Sequence, residues 1–320
     1  MLRLPARVPG LLLMALLVTS LLGTAHAEPG RWYATPAEVQ AGLDFSGERL
    51  RAAWPALHAG DQEPYPDAAR VRARLAENPA LAASLPAARR QDYAGLAAEL
   101  QDAWRAYHRG DYQQAWRLAE PLGLLGLYPA SRARAIHTTY LVPEAERTDR
   151  YRSQMRDIEQ ALGEADPGDP NILFEQAYVM GRYSQGISIP TALAQGMAGR
   201  IRDTLRETLE LAPRHPEALA TFGAYHAEIV SQVGGFLARV TYGARAEEAV
   251  ESYQQAIEIA PQLIIAYVEY ADSLLKLDRQ ANIPQALRLL RTATTLPAED
   301  ATERLDRQRA QRMLADLQAR

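Results

Sequence analysis

The chain has 320 residues, 48% of them apolar and 23% charged, no cysteine, and a formal charge of −4. Such a composition can build a substantial core, excludes disulfides and thiolate chemistry, and lacks the basic surface that general nucleic-acid binding requires. Lys276 is the only lysine, and the abundance of arginine is read as compositional bias rather than as anion recognition. Ala, Leu, Arg, Glu and Gln dominate, and no β-branched run repeats with period two. The expectation is an all-α protein.

At the N-terminus, Arg3 and Arg7 precede a mostly apolar run from Leu11 to Leu22, too short to span a bilayer comfortably. Ala25-His26-Ala27 then supplies an A-x-A site. Residues 1–27 therefore read as a cleavable signal peptide, with Glu28 starting the mature chain in the periplasm or outside the cell. No Cys follows the run to carry a lipid anchor. Loss of Arg3 and Arg7 takes the formal charge from −4 to −6.

Residues 28–95 read as an irregular and helical segment with a degenerate repeat, irregular over 28–66, where Pro36, Pro55, Pro64 and Pro66 interrupt it. Ala53-Trp54-Pro-Ala56-Leu-His58-Ala-Gly60-Asp61 returns as Ala103-Trp104-Arg-Ala106-Tyr-His108-Arg-Gly110-Asp111. The second copy ends a helix, with Leu96, Leu100, Trp104 and Tyr107 on one face. In the first, Pro55 is expected to break the helix. Asp67 caps a short helix over 67–77, which Asn78-Pro79 stops. Residues 96–165 read as helical hairpins, with further helices over 129–141 and 145–163 and an emphatic turn at 166–170.

Residues 170–298 read as three tetratricopeptide-like (TPR-like) units. Asn171 to Arg182 pairs with a helix ending at Leu211. The next unit runs from Pro216 to Pro261, where Gly223, Ala249, Tyr253, Ala256 and Pro261 hold repeat positions. Ile264 to Lys276 pairs with Gln285 to Leu296. Successive closing prolines lie 48 and 36 residues apart, against about 34 for an ordinary unit. The excess sits in two extensions, 183–196 and the stretch between Gly223 and Ala249. Both contain Ser-Gln, at 184–185 and 231–232. Residues 234–244 and 184–196 are expected to face a ligand together. Residues 299–320 read as a charged capping helix, the polar end that a helical solenoid needs.

Several motifs together resemble an uncharacterised family of exported bacterial proteins with TPR-like repeats. They are G-R-Y-S-Q-G-I-S at 181–188, G-A-Y-H-A-E at 223–228, T-Y-G-A at 241–244, V-E-Y-A at 268–271 and D-A-T-E-R-L-D at 300–306. The likeness spans roughly 95–310 and implies fold and export, without an activity. More faintly, G-G-x-x-A-R with A-x-x-x-Y-x-x-A-I and the terminal Q-R-A-Q-R-M-L-A is similar to the periplasmic T-component of TRAP-type transporters. That second likeness implies a helical protein that hands ligands to a solute-binding partner. Its members are typically lipoproteins, and this chain departs from them in lacking the cysteine.

Motifs for catalysis are missing: no H-E-x-x-H, G-x-S-x-G, P-loop or G-x-G-x-x-G occurs. His58 and His108 precede Gly-Asp turns and read as helix-end residues. The carboxylates read as outer-face partners of arginine. Gly234-Gly235 reads as a helix end with close backbone approach. No metal site and no cofactor are expected. Instead, the first helices of the units place Tyr178, Arg182 and Gln185, then Tyr225, Glu228 and Gln232, then Tyr267 and Tyr270 along a concave groove. His226, at a packing-tyrosine position, and Tyr242, in the second extension, complete the candidate binding set. The expected function is non-catalytic binding or scaffolding of a partner protein or peptide. The first alternative is a small-ligand carrier serving a transporter, which an apolar channel through Ile187, Ile189, Leu193, Phe236 and Val240 would favour. The second is a hydrolytic enzyme, which would need converging carboxylates or a His–Glu pair.

Overall fold

The computed structural model describes residues 30–163 and 168–319, and among these the secondary structure is helical, without strands. The expected signal segment 1–27, and residues 166 and 167 of the expected turn, lie outside the described residues. No described helix is long and apolar enough to cross a membrane. In chain order the longer helices are α1 (Arg49–Leu57), α2 (Ala68–Glu77), α3 (Tyr93–His108), α4 (Tyr112–Ala119), α5 (Leu127–Tyr140), α6 (Glu144–Leu162) and α7 (Pro170–Gln185). There follow α8 (Ile189–Ala194), α9 (Met197–Leu211), α10 (Pro216–Val233), α11 (Ala246–Ile259), α12 (Ile264–Leu277), α13 (Arg279–Thr295) and α14 (Ala301–Gln318).

Local chemistry explains most of these boundaries. Asp67, Asp92, Asp111, Asp169, Asp278 and Asp300 each accept a backbone N–H of the helix they precede. Each such cap contributes about 1 kcal/mol. Two prolines do not act as the sequence suggests. Pro55 lies inside α1, in its last turn, where only one ladder bond is forfeited. Helix α13 begins at Arg279 rather than Gln285, because Asp278 caps it upstream of Pro284.

Packing sorts the helices into two layers. Helices α3, α5, α7, α10, α12 and α14 each touch the next, and α14 returns to touch α3, so these six close a ring. Helices α4, α6, α9, α11 and α13 pack outside it, each against the inner helix that precedes it. Buried aromatic and aliphatic side chains, among them Trp104, Tyr112, Phe174 and Tyr253, fill the space between layers. Fully burying one such side chain contributes about 1.5–3 kcal/mol. Helix α14 is thus not the outward polar cap expected from its charge. It buries Ala301, Thr302, Leu305, Asp306 and Ala310 and joins the two ends of the helix array.

Gly223 shows how tightly one pair is packed. A Cβ at this position would stand 2.8 Å from the Tyr253 ring and 3.0 Å from the Ala249 carbonyl oxygen. The close approach read from the repeat pattern is therefore present. Gly234 does end α10, with φ 79°, but a Cβ there would meet nothing within 4 Å, so no close approach accompanies it. Gly223→Val should force α10 and α11 apart and destabilise the protein by about 1–3 kcal/mol. Urea unfolding would measure it, and an unchanged midpoint would contradict the packing argument.

Candidate functional site

The helix ring surrounds a cavity of about 280 Å³ that is partly open to solvent. Helix α10 lines it along almost its whole length: Glu217, Ala220, Thr221, Ala224, Tyr225, Glu228, Ile229, Gln232 and Val233 all face it. That i, i+3, i+4 stripe runs for about 24 Å at 1.5 Å per residue. The chamber is therefore elongated along the axis of α10.

Its walls differ from end to end. Near the C-terminal end of α10 they are largely apolar, with Ile187, Ile189, Leu193, Met197, Ile201, Ile229 and Val233, interrupted by Gln185, Gln232 and Glu228, the last paired with Lys276 at 2.8 Å. Near its N-terminal end they are polar and aromatic, with His58, Asp61, Trp104, Tyr107, His108, Arg132, Glu217, Asp300 and Glu303. Tyr140, Tyr178, Arg182, Glu269 and Asp306 line the chamber as well.

The polar end is built on the internal repeat. Trp54 stacks on His58 at 3.9 Å and Trp104 on His108 at 5.6 Å. The two tryptophans are perpendicular at 5.9 Å, and so are the two imidazoles at 5.1 Å. The repeated motif thus places two equivalent Trp–His pairs against each other. His58 Nε2 meets His108 Nε2 at 3.2 Å. On the far sides, His58 Nδ1 is 2.9 Å from Asp61 and His108 Nδ1 is 2.7 Å from Asp300. Tyr128 donates to Asp61 at 2.5 Å.

Each imidazole has its Nδ1 on an aspartate and its Nε2 on the other ring, and the tautomer of each ring sets which nitrogen donates in which contact. Burial lowers the proton affinity of His108, against the pull of Asp300. Burial also works against the Asp61 charge, but His58 and Tyr128 outweigh it and hold that carboxyl well below the usual range. Helix capping alone therefore does not account for His58 and His108. They are the centre of a buried polar link between residues 192 apart in sequence.

Two further links cross the interior. Arg132 contacts Glu217 at 2.6 Å and Glu175 at 3.7 Å. Burial pushes Glu175 up to about 7, and both of its carboxylate oxygens lack a hydrogen bond. Glu269 receives Arg182 at 2.7 Å and Arg309 at 2.6 Å. Burial opposes its charge, but Arg309 and Arg182 outweigh it and hold the carboxyl far below its ordinary value. Asp306 accepts from Tyr140. Many carboxylates therefore do not lie on outer faces, as their spacing beside arginines suggested. Asp61, Glu175, Asp300 and Asp306 are buried.

Of the residues expected in the groove, Tyr178, Arg182, Gln185, Tyr225, Glu228, Gln232 and Tyr242 all line the chamber. Three do not. His226 is buried in the packing layer and accepts the Arg245 N–H at 3.2 Å. Tyr270 stacks on Tyr253 at 4.9 Å, and Tyr267 donates to the Pro261 carbonyl. Both turn away because their side of α12 meets neighbouring helices rather than the ring interior. The two extensions also differ. Ile187, Ile189 and Leu193 of the first line the chamber, whereas Phe236 and Val240 of the second do not and are 77% and 69% exposed. The chain matches no protein-family model and no curated protein. Among the described residues, no group of three or more His, Cys, Asp or Glu is placed to hold a metal ion.

Two outcomes follow from this geometry. His108→Ala and Asp300→Ala should each cost about 2–4 kcal/mol, since each leaves a buried polar partner unsatisfied. In a double-mutant cycle their effects should fall short of additivity by about 1 kcal/mol or more; strict additivity would show that the pair does not act as a unit. His215 supplies the second. Its Nδ1 accepts the Ala218 N–H that opens α10, and its Nε2 meets Asn171 Oδ1 at 2.8 Å. Burial holds its proton affinity down at about 4. As pH falls below about 6.5, the unfolded chain takes up this proton first, so stability is lost between about 6.5 and 4. His215→Asn keeps a capping acceptor and cannot titrate, so it should lose less Tm between pH 7 and 4.5 than the parent protein. An equal loss would remove His215 from the acid response.

Proposed function

We propose that this protein binds a small organic molecule inside its helix ring and acts as a non-catalytic carrier in the cell envelope. The observation that carries the reading is the ring closure. Where an open solenoid offers its inner helices to a partner as a groove, here α14 joins α12 to α3 and the ring surrounds a chamber that is only partly open to solvent. Its elongated form and apolar end suit a ligand rather than a folded partner, and ligand sites are typically concave, mostly apolar and few per protein. Arg132 and Arg182 orient the wall and are already engaged by carboxylates. The alternating inner and outer helices support a TPR-like array as the architectural class, and the signal-like N-terminus supports export.

A second reading has one observation behind it. Phe236 and Val240 stand exposed beside Leu237 on the second extension, and contiguous apolar surface of this kind serves protein contact. On this reading a partner docks at that extension and exchanges the ligand, as the faint likeness to transporter T-components implies.

Native mass spectrometry of protein gently extracted from its own envelope tests the carrier reading. The parent protein should carry a small molecule, and Ala224→Trp, which fills the chamber from α10, should lose it while retaining its helical spectrum. Equal retention by Ala224→Trp would place the ligand elsewhere and sink the proposal.

A further inference from the structure

We propose that the chamber selects an elongated organic cation: an ammonium-type head at the face of α14 and an apolar body directed toward Ile187, Leu193 and Val233. The inference rests on the carrier reading above and adds the chemical class of the ligand.

Charge distribution carries the argument. Eight carboxylates line the chamber but only two guanidiniums, those of Arg132 and Arg182. Neither guanidinium is free to receive an anionic ligand. Arg132 is held by Glu217 at 2.6 Å, and Arg182 by Glu269 at 2.7 Å while it lies over the Tyr178 ring at 5.0 Å. Carboxylates, in contrast, are left over. Glu303 and Asp306 both line the chamber, and among the described residues neither has a cationic side chain within 4.0 Å. Asp306 is 95% buried, and its one hydrogen bond comes from the neutral Tyr140 hydroxyl. Glu303 accepts only the backbone N–H of Glu299. For the buried Asp306 a missing counter-charge is costly, and an incoming cation would supply one, with the half-buried Glu303 beside it.

Geometry fixes the orientation. Asp300, the N-cap of α14, and Glu303 and Asp306 within it all line the chamber, and so do Tyr107 and Tyr140, aromatic side chains of a kind that attracts cations. The apolar side chains lie toward the other end of α10. Head and body of the ligand are therefore assigned to separate ends of one chamber.

Proton occupancy agrees with this. Glu303 faces Asp300, Asp306 and Glu299; Asp306 faces Tyr140, Arg309, Asp300 and Glu217. His108 and Arg132 complete the charged surroundings of this end. Burial, reinforced by Asp300, pushes Glu303 up to about 9, and burial pushes Asp306 up to about 7. Raised in this way, both groups favour their protonated form, and a cation bound beside them would favour the ionised one. Affinity for a cation should therefore rise with pH between about 6 and 8.5.

Calorimetry with n-octylammonium, 1-octanol and octanoate, three probes of equal chain length, tests the assignment on the full mature chain. The ammonium should bind at least about tenfold more tightly than the alcohol, and octanoate more weakly than either. Asp306→Asn with Glu303→Gln, both isosteric, should reduce ammonium affinity to that of the alcohol and leave the alcohol unchanged. Ile187→Ser should weaken ammonium and alcohol by the same factor, separating body from head. Binding of octanol or octanoate as tightly as the ammonium would overturn the cationic class and leave the carrier reading standing. Failure of all three to bind would overturn the elongated cationic class, while the carrier reading stands or falls on the mass spectrometry of the parent protein and Ala224→Trp. Unchanged ammonium binding by the double variant, with its fold intact by circular dichroism, would show that α14 does not receive the head.

Discussion

Everything in this molecule depends on α14 returning to α3. Without that contact the six inner helices are an open row, and with it they bound a chamber. The seal is polar: Asp300 to His108, Tyr112 to Thr302 at 3.1 Å, and Thr302 to Tyr107 at 3.2 Å. Arg304 adds a clamp on the carbonyls of Val39 and Ala41, ahead of α1. Apolar side chains could hold two helices together as firmly, because a buried polar link is no surer a source of stability than good packing. What the polar seal adds is register. The bonds of Asp300 to His108 and of Thr302 to Tyr107 and Tyr112 are satisfied together in one arrangement, and sliding α14 by a single turn would break all three.

The same preference for fixed geometry explains the arginines of the wall. Arg132 spans α5, α7 and α10 through Glu175 and Glu217, and Arg182 spans α7 and α12 through Glu269. A planar guanidinium can meet a carboxylate while lying against an aromatic ring, as Arg182 does on Tyr178. Lysine, a point charge on a flexible stem, has no plane to lay on the ring while its donors meet the carboxylate. Compositional bias explains why the chain is rich in arginine, but it does not explain why these two cross the interior.

Most helices were legible from sequence because their signals are local. Apolar residues recur at three and four, aspartates cap the starts, and Gly223 and Ala249 mark an interhelical contact. The inner layer was legible too, since the first helix of each unit was expected to face inward; Tyr178, Arg182, Tyr225 and Glu228 were chosen on that ground. The closure was not. An amphipathic helix has the same periodicity whether its apolar stripe caps a stack or seals a ring. Asp300 and Glu303 look like ordinary residues of a helix start, and Asp300 does serve as a cap. His58 and His108 left a better clue, a Trp four residues before each histidine in both copies. Helix-end chemistry accounted for that pattern equally well until the two copies were seen face to face. Tyr267 and Tyr270 failed for the opposite reason: they fit the inward rule, but a helix has more than one covered side.

The seal also bears on the order in which the protein can fold. His108 and Asp300 are separated by 192 residues, whereas each outer helix packs on an inner helix close to it in the chain. Contacts between neighbours form early at little entropic cost, and those between distant segments must wait for the intervening chain to be ordered. Helix pairs can accordingly stack as the polypeptide emerges, while a chain still lacking α14 leaves His108 without its aspartate and the interior open to water. By this ordering the chamber is completed only when α14 docks, after the rest of the array is in place.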